Sequence, residues 1–268
     1  LVFRNIRRAL GIDKCRWLST AAAPIAPDLI DWYWSIGKPM YEVYGQTECT
    51  GIATANLLDD FRIGSVGKAI EDVEVVLSEE DEILIRSPGV IKGYWNQAEK
   101  TAETIRQGWL HTGDVGRIDD DGFIYIIDRM KDIIITAGGK NITPSEIENQ
   151  LKFSPYVTDA VVVGDKRPYL TCLVMIDDEN VTKYAQDNDV PFTNYTSLCH
   201  TQEVQDLVHS EIEKVNVKFA RVETIKKFRL IDQLLDAEDD ELTPTQKLKR
   251  KVVNEKYADL IDGMYQGG

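Results

Sequence analysis

Residues 126–142 read IIDRMKDIIITAGGKNI, and the fold turns on how this stretch is divided. Apolar runs flank a charged centre: residues 123–127 precede Arg129-Met130-Lys131-Asp132, and residues 133–135 follow it. Two short strands across a charged turn would ordinarily make a hairpin. The texture of the sequence differs on the two sides, however, so the turn reads as a hinge between domains.

Working upstream, residues 1–10 are a short basic amphipathic segment, the end of a helix. Residues 16–19 suggest a strand running into the small-residue turn Thr20-Ala21-Ala22-Ala23-Pro24. A helix is expected over 27–36, with proline in its first turn and Gly37 closing it, and residues 40–44 are extended. Strand, helix, strand predicts an α/β unit over 1–65. From Val66 the pattern becomes short strands, at 73–77, 82–86 and 123–127, parted by glycine, proline and acidic turns. That predicts a small antiparallel sheet or barrel over 66–130, with 93–113 a loop carrying a short helix at 98–105.

Downstream, Thr143-Pro144-Ser145-Glu146 has capping-box spacing with proline at the first helical position, so a helix begins there, with Ile147 and Leu151 as its apolar stripe. Residues 160–163 and 170–176 are β-rich. Val204, Leu207, Val208, Ile212, Val215 and Phe219 follow helical spacing over 203–219. A strand at 228–231 and a last helix at 246–260, with Leu248, Val252 and Val253 inward, complete an α+β domain over 131–268. The expected fold class is α+β multidomain: the end of an α/β amino-terminal domain, a small barrel-like antiparallel β-subdomain, and a mobile carboxy-terminal α+β domain.

The totals narrow the function. A chain of 268 residues with 43% hydrophobic and 28% charged residues supports one large or two modest domains with a real core. A net charge of −14 argues against nucleic acid as a main partner, which would require a basic face. The cysteines (Cys15, Cys49, Cys172, Cys199) show no C-x-x-C spacing and the histidines are scattered, which disfavours structural zinc. Reduced, buried thiols in a cytoplasmic protein are expected. No apolar run approaches the roughly 18 residues of a membrane span, and no signal peptide is read; peripheral membrane contact stays open. The chain opens on Leu1 in what reads as mid-domain sequence, so a fragment is expected.

Four stretches carry chemistry. Tyr44-Gly45-Gln46-Thr47-Glu48 follows a strand end, where α/β sheets bind ligands. It offers an aromatic face, a glycine for close approach, a hydroxyl and a hard oxygen donor suited to magnesium. A polar loop after a strand fits its spacing equally well. Trp109-Leu110-His111-Thr112-Gly113-Asp114 sets a carboxylate beside glycine in a tight turn, able to accept two ribose hydroxyls, although a turn-capping aspartate is the commoner case. Arg129 and Lys131 are cations on a turn, and Gly138-Gly139-Lys140 is a flexible basic loop: phosphate partners near a nucleotide, surface charge otherwise. Finally, LTPTQKLKR (242–250) switches from acid to base directly after Asp239-Asp240-Glu241.

Taken in order, YGQTE (44–48), GYW…T…GWLHTGD (93–114), DRMKDIIITAGGKNITPSEIE (128–148) and LTPTQKLKR (242–250) resemble the adenylate-forming superfamily. The last motif stands where other branches have a P-x-x-G-K type loop and resembles the long-chain fatty acyl-CoA synthetases. The resemblance implies an ATP- and Mg2+-dependent ligase that joins a fatty acid to coenzyme A through an acyl adenylate. It implies that Tyr44 stacks on adenine, with Ala22 and Ala23 on the other side, where relatives are usually glycine-rich. Gly45 would belong to the same nucleotide site. Thr47 would contact the α-phosphate, Glu48 would hold magnesium, Asp114 would bind both ribose hydroxyls, and Arg129 would reach ribose or phosphate. Lys131 would be the hinge, Lys247 would bridge carboxylate and α-phosphate, and Gly138, with Gly139 and Lys140, would line the pantetheine channel. The phosphate loop of S-G-T-T-G-x-P-K-G type does not occur between Leu1 and Tyr44, so these residues alone are expected to be inactive. A non-catalytic nucleotide- or partner-binding relative, and an adenylating ligase for another acid or acceptor, remain alternatives.

Overall fold

The computed structural model describes residues 2–23, 25–233, 240–242 and 249–266. The chain divides into two compact units, residues 1–132 and 133–268.

In the first unit, helix α1 (Val2–Ala9) leads to strand β1 (Leu18–Thr20), helix α2 (Pro27–Ser35) and strand β2 (Met40–Tyr44). Strands β1 and β2 pair in parallel, Leu18 opposite Met40 and Thr20 opposite Glu42. Proline at the start of α2 sits where no amide partner is needed. The helix buries Ile30, while Trp34 stacks on Phe61 and meets Tyr41 edge-on. Strands β3 (Thr54–Ala55) and β4 (Lys68–Ala69) extend this sheet antiparallel, in the order β1-β2-β3-β4.

A second sheet follows: β5 (Glu74–Leu77), β6 (Glu82–Arg86), helix α3 (Ala98–Thr104), β7 (Ile105–Arg106), β8 (Trp109–Ile118) and β9 (Ile124–Arg129). All its pairings are antiparallel, and β8 has β6, β7 and β9 as neighbours. Its core is Ile83, Ile85, Leu110 and Ile124. The sheet is open, so the barrel-like expectation gives way to a sheet whose strands do not close on themselves. A larger correction concerns residues 109–118. They form a ten-residue strand, whose first five residues fall in the stretch 93–113 expected as loop, because Gly113 at φ +70° bends the strand without ending it.

The hinge stretch also resolves differently from a hairpin. Arg129 is the last residue of β9 and not part of a turn. Residues 134–135 do not return to β9: β10 (Ile134–Ile135) pairs with β11 (Asn141–Ile142), and the loop between them is Thr136 to Lys140.

The second unit continues with helix α4 (Pro144–Lys152), strands β12 (Val157–Val163) and β13 (Leu170–Ile176), helices α5 (Asp178–Asp187), α6 (Tyr195–Cys199) and α7 (Gln202–Asn216), strand β14 (Ile225–Leu230), and helices α8 (Arg250–Lys256) and α9 (Ala258–Tyr265). The sheet order is β12-β13-β14, antiparallel then parallel, with α5 to α7 in the crossover. Every residue of β13 is buried. Alternation explains this: Leu170, Cys172, Val174 and Ile176 face the large core with Ile147, Leu151, Val208 and Ile212, while Leu173 faces a second core with Val161, Ile231, Val253, Ile261 and Met264.

Several local expectations change. Thr143 starts α4 but makes no side-chain cap hydrogen bond, so proline at the first position and the buried stripe carry that terminus. Helices α5 and α6 had no counterpart in the sequence reading. The last helix divides at Tyr257, whose backbone (φ −103°, ψ 24°) is not helical. Leu248 lies outside the described residues. Cys49, Cys172 and Cys199 are buried as expected, but Cys15 is exposed. Among the described residues, no helix is long and apolar enough to cross a membrane.

Candidate active site

The carboxylate of Asp114 is the junction of the first unit's polar network. It is 4% exposed. Asp114 faces Arg129 across the β8–β9 ladder, and the Arg129 Nε lies 2.7 Å from its Oδ1. From the other side, Tyr44 donates its hydroxyl to Oδ2 at 2.6 Å and the Gln46 amide donates to the same oxygen at 2.8 Å. The Gln46 amide also donates to the Thr112 carbonyl at 2.9 Å. Three elements therefore converge: the end of β2, the middle of β8 and the end of β9.

The bulge in β8 aims this carboxylate. Glu82 pairs with Val115 and Leu84 with His111, so β8 uses extra residues between those points, bending the strand and turning Asp114 out of the regular ladder. The bend is held from both sides. Thr112 donates its hydroxyl to the Ile83 carbonyl at 2.7 Å and accepts the Asp114 amide at 3.1 Å. Glu82 accepts the Gly113 amide at 2.8 Å through one oxygen and meets His111 Nδ1 at 2.7 Å through the other. Burial, reinforced by the neighbouring Asp114 charge, pushes the Tyr44 phenol well above its ordinary pKa, so it remains a donor.

Gly45 is required by packing. A Cβ there would lie 1.8 Å from the Gly51 carbonyl oxygen and 2.9 Å from the Ala53 nitrogen, because the chain turns back at once and the Ala53 amide donates to the Tyr44 carbonyl at 2.8 Å. The turn contains a short 3-10 segment, Thr47–Cys49. Thr47 is exposed and Glu48 half-buried. The Glu48 carboxylate accepts the Tyr94 hydroxyl at 2.7 Å, and its carbonyl accepts the Ile91 amide at 2.9 Å. Burial, then the bond to Glu48, raises the Tyr94 phenol above its usual pKa.

Magnesium fits this donor set in kind. The ion commonly takes one or two carboxylates together with substrate phosphates and waters, and Glu48 offers one half-buried carboxylate. Among the described residues there is no cluster of three or more metal-binding side chains, so a cage built wholly of protein is not the form in view.

Ala22 and Ala23 are exposed on the turn after β1, which runs parallel to β2 and so ends on the same side of the sheet as Tyr44. Ala22 has φ +69°, a left-handed conformation in which glycine carries no steric cost. Of the other predicted residues, Lys131 is exposed in the link after β9, and Gly138, Gly139 and Lys140 are exposed on the β10–β11 loop of the second unit. Lys247 lies outside the described residues. The structure thus brings together Tyr44, Asp114 and Arg129, with Thr47 and Glu48 on the adjoining turn.

Gln46, Thr112 and Tyr94 complete the network and received no role from the sequence. All three stood inside quoted motifs. Thr112 shares a strand face with Asp114 by the two-residue period, a signal hidden while this stretch read as a loop.

Two family models match: the AMP-binding enzyme model over residues 6–95 and the AMP-binding enzyme C-terminal domain model over residues 131–268. The chain belongs to the AMP-binding enzyme family. Among curated AMP-binding relatives, the long-chain-fatty-acid–CoA ligase FadD15 of Mycobacterium tuberculosis is 36% identical over 99% of this chain and 44% of its own length. The long-chain-fatty-acid–CoA ligase ACSBG2 of Xenopus laevis is 35% identical over 99% of this chain and 39% of its own. The chain thus spans less than half the length of these relatives. Among solved structures, the A domain of carboxylic acid reductase from Segniliparus rugosus, in complex with AMP and a co-purified carboxylic acid, superposes with a TM-score of 0.76 over 98% of this chain and 44% of that one at 18% identity, a likeness of fold. O-succinylbenzoate coenzyme A synthetase from Bacillus subtilis, in complex with ATP and magnesium ion, gives 0.65 over 88% of this chain and 46% of that one at 25% identity.

Proposed function

We propose that the whole protein to which these residues belong is an ATP-dependent long-chain fatty acid:CoA ligase. The observation that carries this reading is the Asp114 junction. A buried carboxylate already accepting from Tyr44, Gln46 and Arg129 is preorganised to take the vicinal hydroxyls of a ribose, with the tyrosine ring beside the base. The long-chain assignment rests on the LTPTQKLKR motif and on the names of the curated relatives.

In the first half-reaction, a fatty acid carboxylate oxygen attacks the α-phosphorus of ATP. The bond to the β-phosphate oxygen breaks and pyrophosphate leaves. Two anions must meet, so cations have to neutralise both. Lys247 is assigned to bridge carboxylate and α-phosphate, Thr47 to hold the α-phosphate, and Arg129 to reach the ribose or phosphate from the rim of the Asp114 site. Glu48 is the residue that would hold Mg2+, which when bound offsets phosphate charge and draws electron density from the phosphorus. In the second half-reaction, the coenzyme A sulfur attacks the acyl carbonyl and AMP departs with the electron pair of the broken C–O bond. Gly138, Gly139 and Lys140 are assigned to the pantetheine channel, with Lys131 as the hinge that changes which groups serve the adenylate.

The test is ATP–pyrophosphate exchange and acyl-CoA formation by the full-length protein across a series of fatty acids. Exchange that depends on a long-chain acid, followed by CoA consumption, is the expected result. AMP binding without exchange would point to a non-catalytic relative, and exchange without CoA consumption to a different acceptor. The 268 residues alone carry no triphosphate loop of the usual type and are expected to yield no acyl-CoA.

A further inference from the structure

Glu48 is held by a second loop of its own unit. Residues 87–97 link β6 to α3, and they meet the turn at 47–51 in three places. The Glu48 carbonyl accepts the Ile91 amide at 2.9 Å, the Thr50 hydroxyl donates to the Gly89 carbonyl, and Tyr94 donates its hydroxyl to Glu48 Oε1 at 2.7 Å. The other carboxylate oxygen, Oε2, has no hydrogen-bond or ion-pair partner among the described residues.

Tyr94 is itself fixed from α3 and the residue before it. Its amide donates to the Thr101 hydroxyl at 2.9 Å, that hydroxyl donates to the Gln97 carbonyl at 2.8 Å, and the Lys100 ammonium lies 4.2 Å from the ring centroid. A Cβ at Gly93 would lie 2.6 Å from the Thr101 methyl, so the close approach of loop to helix requires glycine there. A plain structural role would have Tyr94 pin one loop to the other. Ile91 and Thr50 already make that connection through backbone carbonyls, and it does not account for a hydroxyl aimed at one carboxylate oxygen.

An oxygen that accepts a hydroxyl is crowded on that side and has part of its charge drawn off, which leaves Oε2 as the better donor. We propose that Tyr94 sets the metal preference of this site by making Glu48 a one-oxygen ligand, which suits Mg2+ and handicaps Ca2+. The inference rests on the assignment of Glu48 to Mg2+ above. Mg2+ demands a near-ideal octahedral set and is commonly served by single carboxylate oxygens, phosphates and waters, whereas Ca2+ takes about six to eight oxygens and readily uses both oxygens of one carboxylate. Groups that orient a ligating side chain commonly change metal affinity by roughly 10–100-fold.

The experiment measures, by isothermal titration, the binding of α,β-methylene-ATP to the full-length protein in excess Mg2+, in excess Ca2+ and in EDTA. Wild type, Tyr94→Phe and Glu48→Gln are compared, each below its melting transition. In the wild type, Mg2+ should strengthen nucleotide binding about fivefold or more beyond what Ca2+ does. Tyr94→Phe keeps the ring and its contact with Lys100. It should bring the two metals to about equal effect, with metal-free binding within about twofold of wild type. If Tyr94→Phe does not fold, Tyr94→Met, which also lacks the hydroxyl, carries the test. An unchanged preference for Mg2+ over Ca2+, or equal weakening with and without metal, would overturn the role of Tyr94 while the Glu48 assignment stands. Metal enhancement that survives in Glu48→Gln would overturn that assignment and the inference with it.

Discussion

The two regions that carry the candidate nucleotide-site and channel residues are built differently. In residues 1–132 the nucleotide-site candidates are locked into one another: Asp114 accepts from Tyr44, Gln46 and Arg129, and Gly45 is pressed against Gly51 and Ala53. In residues 133–268 the channel candidates Gly138, Gly139 and Lys140 are exposed on a hairpin loop. A Cβ at Gly138 would meet only the Thr136 hydroxyl, at 3.9 Å, and one at Gly139 would meet nothing within 4 Å. A site that must hold a ribose in one orientation gains from groups fixed beforehand. On the proposed roles, a loop lining a passage for a flexible thiol needs less rigidity; this one is held by the Thr136 amide to the Lys140 carbonyl at 3.0 Å, the Gly139 amide to the Thr136 carbonyl at 2.8 Å, the Ala137 amide to the Arg167 carbonyl at 3.0 Å and the Lys140 amide to the Thr136 hydroxyl at 3.2 Å.

The largest effect expected from this contrast is at Asp114. Asp114→Asn keeps the shape but removes the charge that Arg129 pairs with, and pyrophosphate exchange by the full-length protein should fall at least a hundredfold. A loss under threefold would mean that the carboxylate serves structure alone. Next comes Gly45→Ala, where the added methyl must displace backbone. Overpacking of this kind costs about 1–3 kcal/mol, so both the melting temperature and exchange should drop. Unchanged melting would show that the turn is softer than its contacts imply.

At the hairpin the pair Gly138→Ala and Gly139→Ala separates passage from backbone. Gly139 has φ +74°, so alanine there should cost about 1 kcal/mol, whereas alanine at Gly138 should leave stability unchanged. A slower thioester step in Gly138→Ala with an unaltered melting curve would mark crowding of the channel, and no change in rate would remove Gly138 from it. The smallest effect is at Ala22. Relief of its left-handed strain in Ala22→Gly should stabilise the first unit by up to about 1 kcal/mol, read as a rise in melting temperature; a fall would mean that the alanine methyl contributes contacts there.

Much of the second unit was legible because its cores are periodic. The run at 170–176 and the helical spacing of Val204, Val208, Ile212 and Val215 reflect burial, which leaves its pattern in a single sequence. Helices α5 and α6 escaped because they are short and largely polar, and their side-chain caps at Asp177 and Asn194 read equally well as turn residues. In the first unit, Tyr44, Asp114 and Arg129 were marked by motif, but their meeting was hidden. Gly113 resembles a turn glycine locally, and only its pairing partners on β6 and β9 show a bent strand. The hairpin of residues 134–142 was obscured for a related reason, since the charged turn at 129–132 was the stronger local signal and β10 has its partner on the far side.

The central claim is that Asp114 holds the ribose of AMP. It is tested most directly by comparing the affinities of AMP and 2′,3′-dideoxy-AMP for the full-length protein and its Asp114→Asn variant. The wild type should bind AMP at least tenfold more tightly than the dideoxy analogue, and the variant should bind the two about equally. A variant that discriminates between them as strongly as the wild type would contradict the claim.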